Sequence, residues 1–180
     1  MRMPPDRVVL IGFMGAGKTT VGRIVAERLG LDFVDTDRLV EERACAPIAA
    51  IFADRGEKAF RDIEAEALAA LGGRRRVVVA TGGGAPAEPR NRSFFTLGAV
   101  TFHLRVSLEA ARQRSVANAL RPLLAQDDAA VRRLYLSRQP IYEQLGMSVD
   151  TDGRDPAEVA EEIIGLLSNP RKNPAPGGSE

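Results

Sequence analysis

The chain is 180 residues long, 44% hydrophobic and 27% charged, the proportions of a water-soluble globular protein and not of a disordered, fibrous or membrane-spanning one. Its 25 Lys and Arg against 24 Asp and Glu leave it near neutral, which argues against a polyanion such as DNA as partner. One cysteine, Cys45, and one histidine, His103, exclude an intrachain disulfide framework and leave too few soft ligands for a zinc site.

Met1 to Asp6 is short and polar, and the apolar run after it, Val8 to Ile11, is four residues. Neither a signal peptide nor a spanning segment is expected, so the predicted address is cytoplasmic with no membrane partner. Val8-Val9-Leu10-Ile11 reads as a first strand stopping at Gly12. After a glycine-rich interval, Val21, Ile24, Val25 and Leu29 recur at helical spacing up to Gly30. Phe33-Val34 makes a second strand that reaches Asp35-Thr36-Asp37, followed by two short helices broken around Pro47. Phe60, Ile63, Ala67, Leu68 and Leu71 predict a longer helix.

Val77 to Ala80 is apolar throughout, as suits a strand buried on both faces of a parallel sheet, and Thr81-Gly82-Gly83-Gly84 ends it. Val100 to Leu104 predicts a fourth strand, Leu108 to Arg114 and Val131 to Arg138 two helices, Met147 to Val149 a fifth strand, and Pro156 to Leu167 a last helix. Strands alternating with helices predict an α/β fold, one three-layer domain over residues 1–168 around a five-stranded parallel sheet, with ligands at the carboxyl ends of the strands. Residues 169–180 hold three prolines and two glycines without apolar anchors, the composition of a disordered tail. A single domain of this size is expected to be monomeric.

Gly12-Phe13-Met14-Gly15-Ala16-Gly17-Lys18-Thr19 matches G-x-x-x-x-G-K-[ST] in full, between a strand and a helix. Its backbone N–H groups and the following helix N-terminus suit a β-phosphate, Lys18 the β- and γ-phosphates, and Thr19 a Mg²⁺ ion. No asparagine is followed by lysine, so the guanine-reading N-K-x-D segment is missing. A motor ATPase would ordinarily be longer, which leaves kinases of small molecules or nucleotides. Residues 111 to 138 carry six arginines against Asp127 and Asp128, a stretch suited to a small anionic ligand.

These segments resemble the shikimate kinases, which carry phosphate from ATP to a hydroxylated ring carboxylate. The resemblance spans residues 7 to 167: Gly12 to Gly22, Asp35-Thr36-Asp37, the set Ile48, Ile51, Phe52, Gly56, Glu57, Phe60, Arg61 and Glu64, then Thr81 to Gly84, Arg121-Pro122-Leu123-Leu124, and Arg138 with Pro140 and Tyr142. It implies a P-loop domain with an acceptor-binding helical region and a short lid. It also implies ATP and Mg²⁺, a small-molecule acceptor, and phosphorylation of the 3-hydroxyl of shikimate on the route to chorismate and the aromatic amino acids.

By that resemblance Asp37 holds the ring hydroxyls and acts as base, and Asp35 supports Mg²⁺ through water beside Thr19. Arg61 and Arg138 take the ring carboxylate, whose two oxygens match a guanidinium fork, and Gly83 offers a backbone N–H. Catalysis falls to Lys18, Asp37 and Arg121, the last on a lid over residues 116–127 that closes on the transferring group. The nucleotide side comprises Gly15, Ala16, Gly17, Lys18, Thr19, Thr20, Arg114, Arg121, Arg154 and Pro156.

Plainer readings stand beside these. Asp35 or Asp37 caps the next helix; Arg61 makes an i,i+3 surface pair with Glu64; Arg114 is a solvated arginine; charge alone does not separate Arg138 from Arg132 and Arg133. His103 is expected to be a structural strand histidine, Cys45 an inert thiol, and Arg74 to Arg76 a solvated loop. The rival functions are a kinase of another polyol acid such as gluconate, a nucleotide-binding module without transfer, and a GTP switch.

Overall fold

Uninterrupted β-branched runs form the centre of the molecule. The computed structural model describes residues 6–116 and 128–168. Within them β1 (Arg7–Ile11), β2 (Asp32–Asp35), β3 (Val77–Ala80), β4 (Val100–Arg105) and β5 (Met147–Asp150) form one parallel sheet in the order β2-β3-β1-β4-β5. Val8 to Ile11 and Val77 to Val79 have no exposed surface, as two-faced burial of central parallel strands demands. The α/β class and the five-stranded parallel sheet follow the sequence reading.

The helices are α1 (Lys18–Leu29), α2 (Thr36–Ala44), α3 (Ile48–Leu71), α4 (Arg92–Thr96), α5 (Leu108–Val116), α6 (Asp128–Leu145) and α7 (Pro156–Ser168). The crossover from β1 to β2 runs one way along the sheet and the later ones run back. Right-handed crossovers therefore put α1 on one face and α3, α4 and α6 on the other. α7 returns to pack against α1.

The expected break between the short helix after Pro47 and the longer one over Phe60 to Leu71 falls at Gly56, whose φ of 77° and ψ of 174° lie outside the helical region, so that α3 is two helices joined at a kink. Two stretches depart from expectation. Helix α6 is longer than 131–138 and passes through Pro140. A proline there removes the N–H owed to the Leu136 carbonyl, and Leu136 is an exposed residue, so water can take that bond. Between β3 and β4 the sequence reading placed nothing, yet two 3₁₀ turns (Ala85–Ala87 and Pro89–Asn91) lead into α4. The tail at 169–180 lies outside the described residues.

Arg7, which opens β1, was not singled out from sequence. Its guanidinium is buried and donates to the carbonyls of Leu71 and Gly72 (3.3 and 2.6 Å) and of Phe94 and Leu97 (3.2 and 2.7 Å). It thus neutralises the negative C-terminal ends of α3 and α4 together, with its charged centre 4.5 Å from the Phe94 ring. Burial holds its pKa below the usual arginine value. Arg74 to Arg76 form the exposed loop before β3, tied by Arg74 to Asp32 and by Arg76 to the Gly30 carbonyl. Cys45 is exposed at the end of α2.

His103 on β4 is buried, with Nδ1 3.2 Å from Ser148 Oγ and its ring 5.1 Å from that of Tyr142. Burial first, then the charges of Arg105 and Lys18, push its pKa down to about 4.

Two outcomes test this packing. Replacing Arg7 by Leu leaves buried carbonyls at two helix ends without a donor, and should cost about 3 kcal/mol and lower the melting temperature by roughly 10 °C; a melt within 2 °C of the parent would overturn the account. For His103 the folded state binds its proton less tightly than the unfolded chain. Its stabilising contribution is therefore complete above the ordinary histidine pKa and shrinks as pH falls towards 4. Between pH 7.5 and 5 the loss should be about 2 kcal/mol. Denaturant titrations of the parent and of His103→Gln should differ in pH slope by that amount.

Candidate active site

Parallel register brings the site together. Leu10 pairs with Ala80, and Asp35 pairs with Ala80 from the other side. The phosphate loop after β1, the Asp35 to Asp37 turn after β2 and the Thr81 to Gly84 turn after β3 therefore leave the sheet at one level. Between them opens a cleft of about 500 Å³ lined by Gly15 to Thr20, Asp35, Asp37, Gly83, Arg114, Arg154 and Pro156, among others. That volume suits a small-molecule ligand. A second crevice of about 540 Å³, beside Arg7, Phe94 and Leu97, contains none of the predicted site residues.

In the phosphate loop Gly15 and Gly17 take φ of 79° and 85°, a left-handed conformation costly for other residues. The loop thereby turns into the N-terminus of α1, a natural seat for an anion. Lys18 Nζ donates to the carbonyls of Gly12 and Phe13 at 2.8 and 3.0 Å, which keeps the cation over the loop.

Asp35 serves two ends. Its carboxylate accepts from the Asp37 backbone N–H at 3.0 Å, capping α2, and from the Thr19 hydroxyl at 2.7 Å. The capping reading therefore holds for Asp35 without displacing the metal-side one, since the same group reaches Thr19. Two hard oxygen donors, a hydroxyl and a carboxylate at the phosphate-loop mouth, fit a magnesium ion that keeps most of its waters.

The Gly82-Gly83-Gly84 turn packs against three charged side chains, Asp37, Glu64 and Arg61. A Cβ on Gly82 would lie 2.6 Å from Asp37 Oδ1 and 2.9 Å from Glu64 Oε1, and one on Gly84 would run into the Arg61 guanidinium. Arg61 donates to Glu64 at 2.9 Å and to Glu57 at 3.2 Å. With side-chain exposures of 15% for Arg61 and 1% for Glu64, this is a buried i,i+3 pair and not the surface pair of the plainer reading. Burial works against the Arg61 charge, but Glu64 and Glu57 together outweigh it and hold its pKa above the ordinary value. For Glu64 burial dominates and raises its pKa, assisted by the neighbouring charges of Asp37 and Glu88.

On α6, Arg138 is 8% exposed while Arg132 and Arg133 point to solvent, so the structure separates three arginines that charge could not. Arg138 stands 5.9 Å from the Phe13 ring and against Gly83. Arg114 is half-buried: its guanidinium donates to the Gly15 carbonyl (3.2 Å) and to the hydroxyl and carbonyl of Thr151 (3.1 and 2.6 Å). The solvated reading of Arg114 is thereby excluded. Arg154 is held by the Asp150 carbonyl at 3.0 Å and Glu162 at 2.6 Å, next to Pro156 at the start of α7.

Arg121 and the expected lid beyond Val116 lie outside the described residues. Every other predicted site residue lies in the cleft or against the glycine turn. The sequence reading assigned no role to Thr151, Thr36, whose hydroxyl accepts from the Gly82 N–H at 3.0 Å, or Tyr142; of these only Tyr142, through its spacing from Arg138, left a local signal.

The same reading emerges from likeness to known proteins. A family profile described as shikimate kinase matches residues 14–168. The chain is 44% identical to the shikimate kinase of Moorella thermoacetica over 88% of its length and 92% of that protein's, and 42% identical to that of Thermodesulfovibrio yellowstonii over 87% and 92%. A solved shikimate kinase from Acinetobacter baumannii in complex with shikimate superposes with a TM-score of 0.88 at 35% identity, covering 92% of this chain and 94% of that one. A gluconokinase from Sinorhizobium meliloti, at 20% identity and a TM-score of 0.59 over 96% and 97%, shares the fold alone. With its phosphate loop, glycine turn and paired arginines on one sheet edge, the chain belongs to the shikimate kinase family.

Proposed function

We propose that the chain transfers the γ-phosphoryl group of ATP to the 3-hydroxyl of shikimate, giving shikimate 3-phosphate and ADP, a step on the route to chorismate and the aromatic amino acids. The observation that carries this reading is the glycine turn after β3, whose three residues lie against Asp37, Arg138 and Arg61 in turn, beside the cleft at the phosphate loop. One carboxylate and two guanidinium groups match an acceptor that offers hydroxyls on one side and a carboxylate on the other. The Acinetobacter baumannii relative, solved with shikimate, supports the same acceptor.

In this reading Arg61, Arg138 and the Gly83 N–H hold the acid, and Asp37 orients the attacking hydroxyl and takes its proton. The new bond forms between that oxygen and the γ-phosphorus as the bond to the β-phosphate oxygen breaks, with no phosphoenzyme. Gly15, Ala16, Gly17, Lys18, Thr19 and Thr20 cradle the phosphates, while Arg114, Arg154 and Pro156 border the base, and Arg121 covers the transferring group. Thr19 and, through water, Asp35 would hold Mg²⁺, which when bound offsets phosphate charge. Positioning and charge stabilisation carry the rate. We further assign the protein to the cytoplasm, working as a monomer without nucleic acid or membrane; among the described residues no helix is long and apolar enough to cross a membrane.

ADP release from MgATP by the purified chain should depend on shikimate, with little response to gluconate or nucleoside monophosphates, and should vanish in Lys18→Ala. Asp37→Asn should keep shikimate binding while lowering kcat by roughly 10²–10⁴-fold. ATP binding without release above the Lys18→Ala background, whatever the acceptor, would instead make the chain a nucleotide-binding module. Sedimentation should give one species near the 19.4 kDa of a single chain.

A further inference from the structure

Three consecutive glycines are a poor way to hold a ligand. Gly82 and Gly84 are required, because a side chain at either would strike Asp37 and Glu64 or the Arg61 guanidinium. The same lack of Cβ atoms leaves this turn little stiffness of its own. Its usefulness depends on what fixes it from outside. The Thr36 hydroxyl takes the Gly82 N–H at 3.0 Å, and the Ala85 N–H closes back on the Gly82 carbonyl at 3.1 Å. That leaves residue 83 itself, and the group that reaches it is Tyr142.

Tyr142 has no exposed surface, yet its hydroxyl donates to the Gly83 carbonyl at 2.6 Å. An atom built at the Cβ position of Gly83 would sit 3.4 Å from Arg138 Nη1 and 3.6 Å from the Tyr142 oxygen. One oxygen atom thus holds the turn's central peptide, and the Arg138 guanidinium lies against that same residue. The ring behind that oxygen rests on His103 at 5.1 Å. Burial keeps the phenol pKa up at about 12, so the hydroxyl retains its proton throughout the working pH range.

Resting on the acceptor reading above, we infer that the Tyr142 hydroxyl is a positioning group, locking the Gly83 peptide and Arg138 into one rigid subsite for the substrate carboxylate. It touches no substrate atom. Removing it leaves the Gly83 carbonyl without its donor, and the peptide is then drawn towards other geometries at the acceptor's expense. The substitution Tyr142→Phe deletes that oxygen and keeps the ring, so its packing on His103 persists.

The test measures initial rates in the full chain with shikimate and ATP varied separately, for the parent, Tyr142→Phe, Arg138→Ala and the double variant. The shikimate KM should rise about 10-fold in Tyr142→Phe, the size expected for one buried hydrogen bond, with ATP KM unchanged within twofold. The double variant should lose less than the two single losses combined, because the hydroxyl and the arginine serve one subsite. Additive losses, equal rises in both KM values, or a shikimate KM within twofold of the parent would overturn the inference. Should Tyr142→Phe fail to melt cooperatively, 3-fluorotyrosine in a Tyr135→Phe background makes Tyr142 the one fluorinated residue, since the chain has two tyrosines. Its ¹⁹F resonance should move on adding shikimate and stay with ADP alone; a resonance indifferent to shikimate overturns the inference. A parent chain that releases no ADP with shikimate overturns the acceptor reading, and this inference falls with it. A parent that does so beside an unaffected Tyr142→Phe overturns the inference alone.

Discussion

Parallel pairing of β1 with β3 and of β3 with β2, ending at Leu10, Ala80 and Asp35, is the constraint on which the site depends. Past that level the strands stop satisfying one another, and backbone and side-chain polar groups must find other partners. Three loops emerge there within reach of each other. In each, close approach decides the residue: left-handed glycines in the phosphate loop, a short acid that spans Thr19 and the start of α2, and glycines that leave room for Asp37, Glu64 and Arg61. A slip of one residue in β3 would move the glycine turn away from Asp35.

Charge at this edge is balanced before any ligand enters. Lys18 rests on the Gly12 and Phe13 carbonyls, Arg114 on Gly15 and Thr151, and Arg61 on Glu64 and Glu57. Each cation is held in place by oxygens it can exchange or share when an anion arrives. Little reorganisation remains for the moment of reaction, the condition under which fixed charges lower a barrier most. Glu64 bears the strain of this arrangement: it is buried, with Asp37 and Glu88 near enough to disfavour its charge, and the Arg61 guanidinium is what makes its position tenable.

Much of this was legible in the sequence because it is local. The phosphate loop, the Asp35 and Asp37 pair and the five strands are written in contiguous residues, whose spacing fixes which backbone groups converge. Interactions between distant segments were not legible. Nothing near Arg7 in sequence indicates that it caps two helices ending at Leu71 and Thr96, and nothing near Thr151 indicates Arg114, 37 positions away. Pro140 misled, since proline normally ends a helix, yet α6 continues through it to Leu145. Resemblance recovered Arg61 and Arg138, but the burial that distinguishes Arg138 from Arg132 and Arg133 belongs to the folded helix.

The continuation of α6 past Pro140 has a consequence for the geometry of the site. Residues 135, 138 and 142 lie three and then four apart, on one helical face. The Tyr135 ring meets the edge of Phe13 in the phosphate loop at 5.2 Å, Arg138 faces both that ring and Gly83, and Tyr142 grips the Gly83 carbonyl. The first contact belongs to the phosphate loop and the last to the glycine turn. A helix that ended at Arg138 would leave the two loops held by separate elements. A single helix makes the spacing between them a property of its own pitch. That gives a physical reason for Arg138, Pro140 and Tyr142 to sit together in one sequence segment.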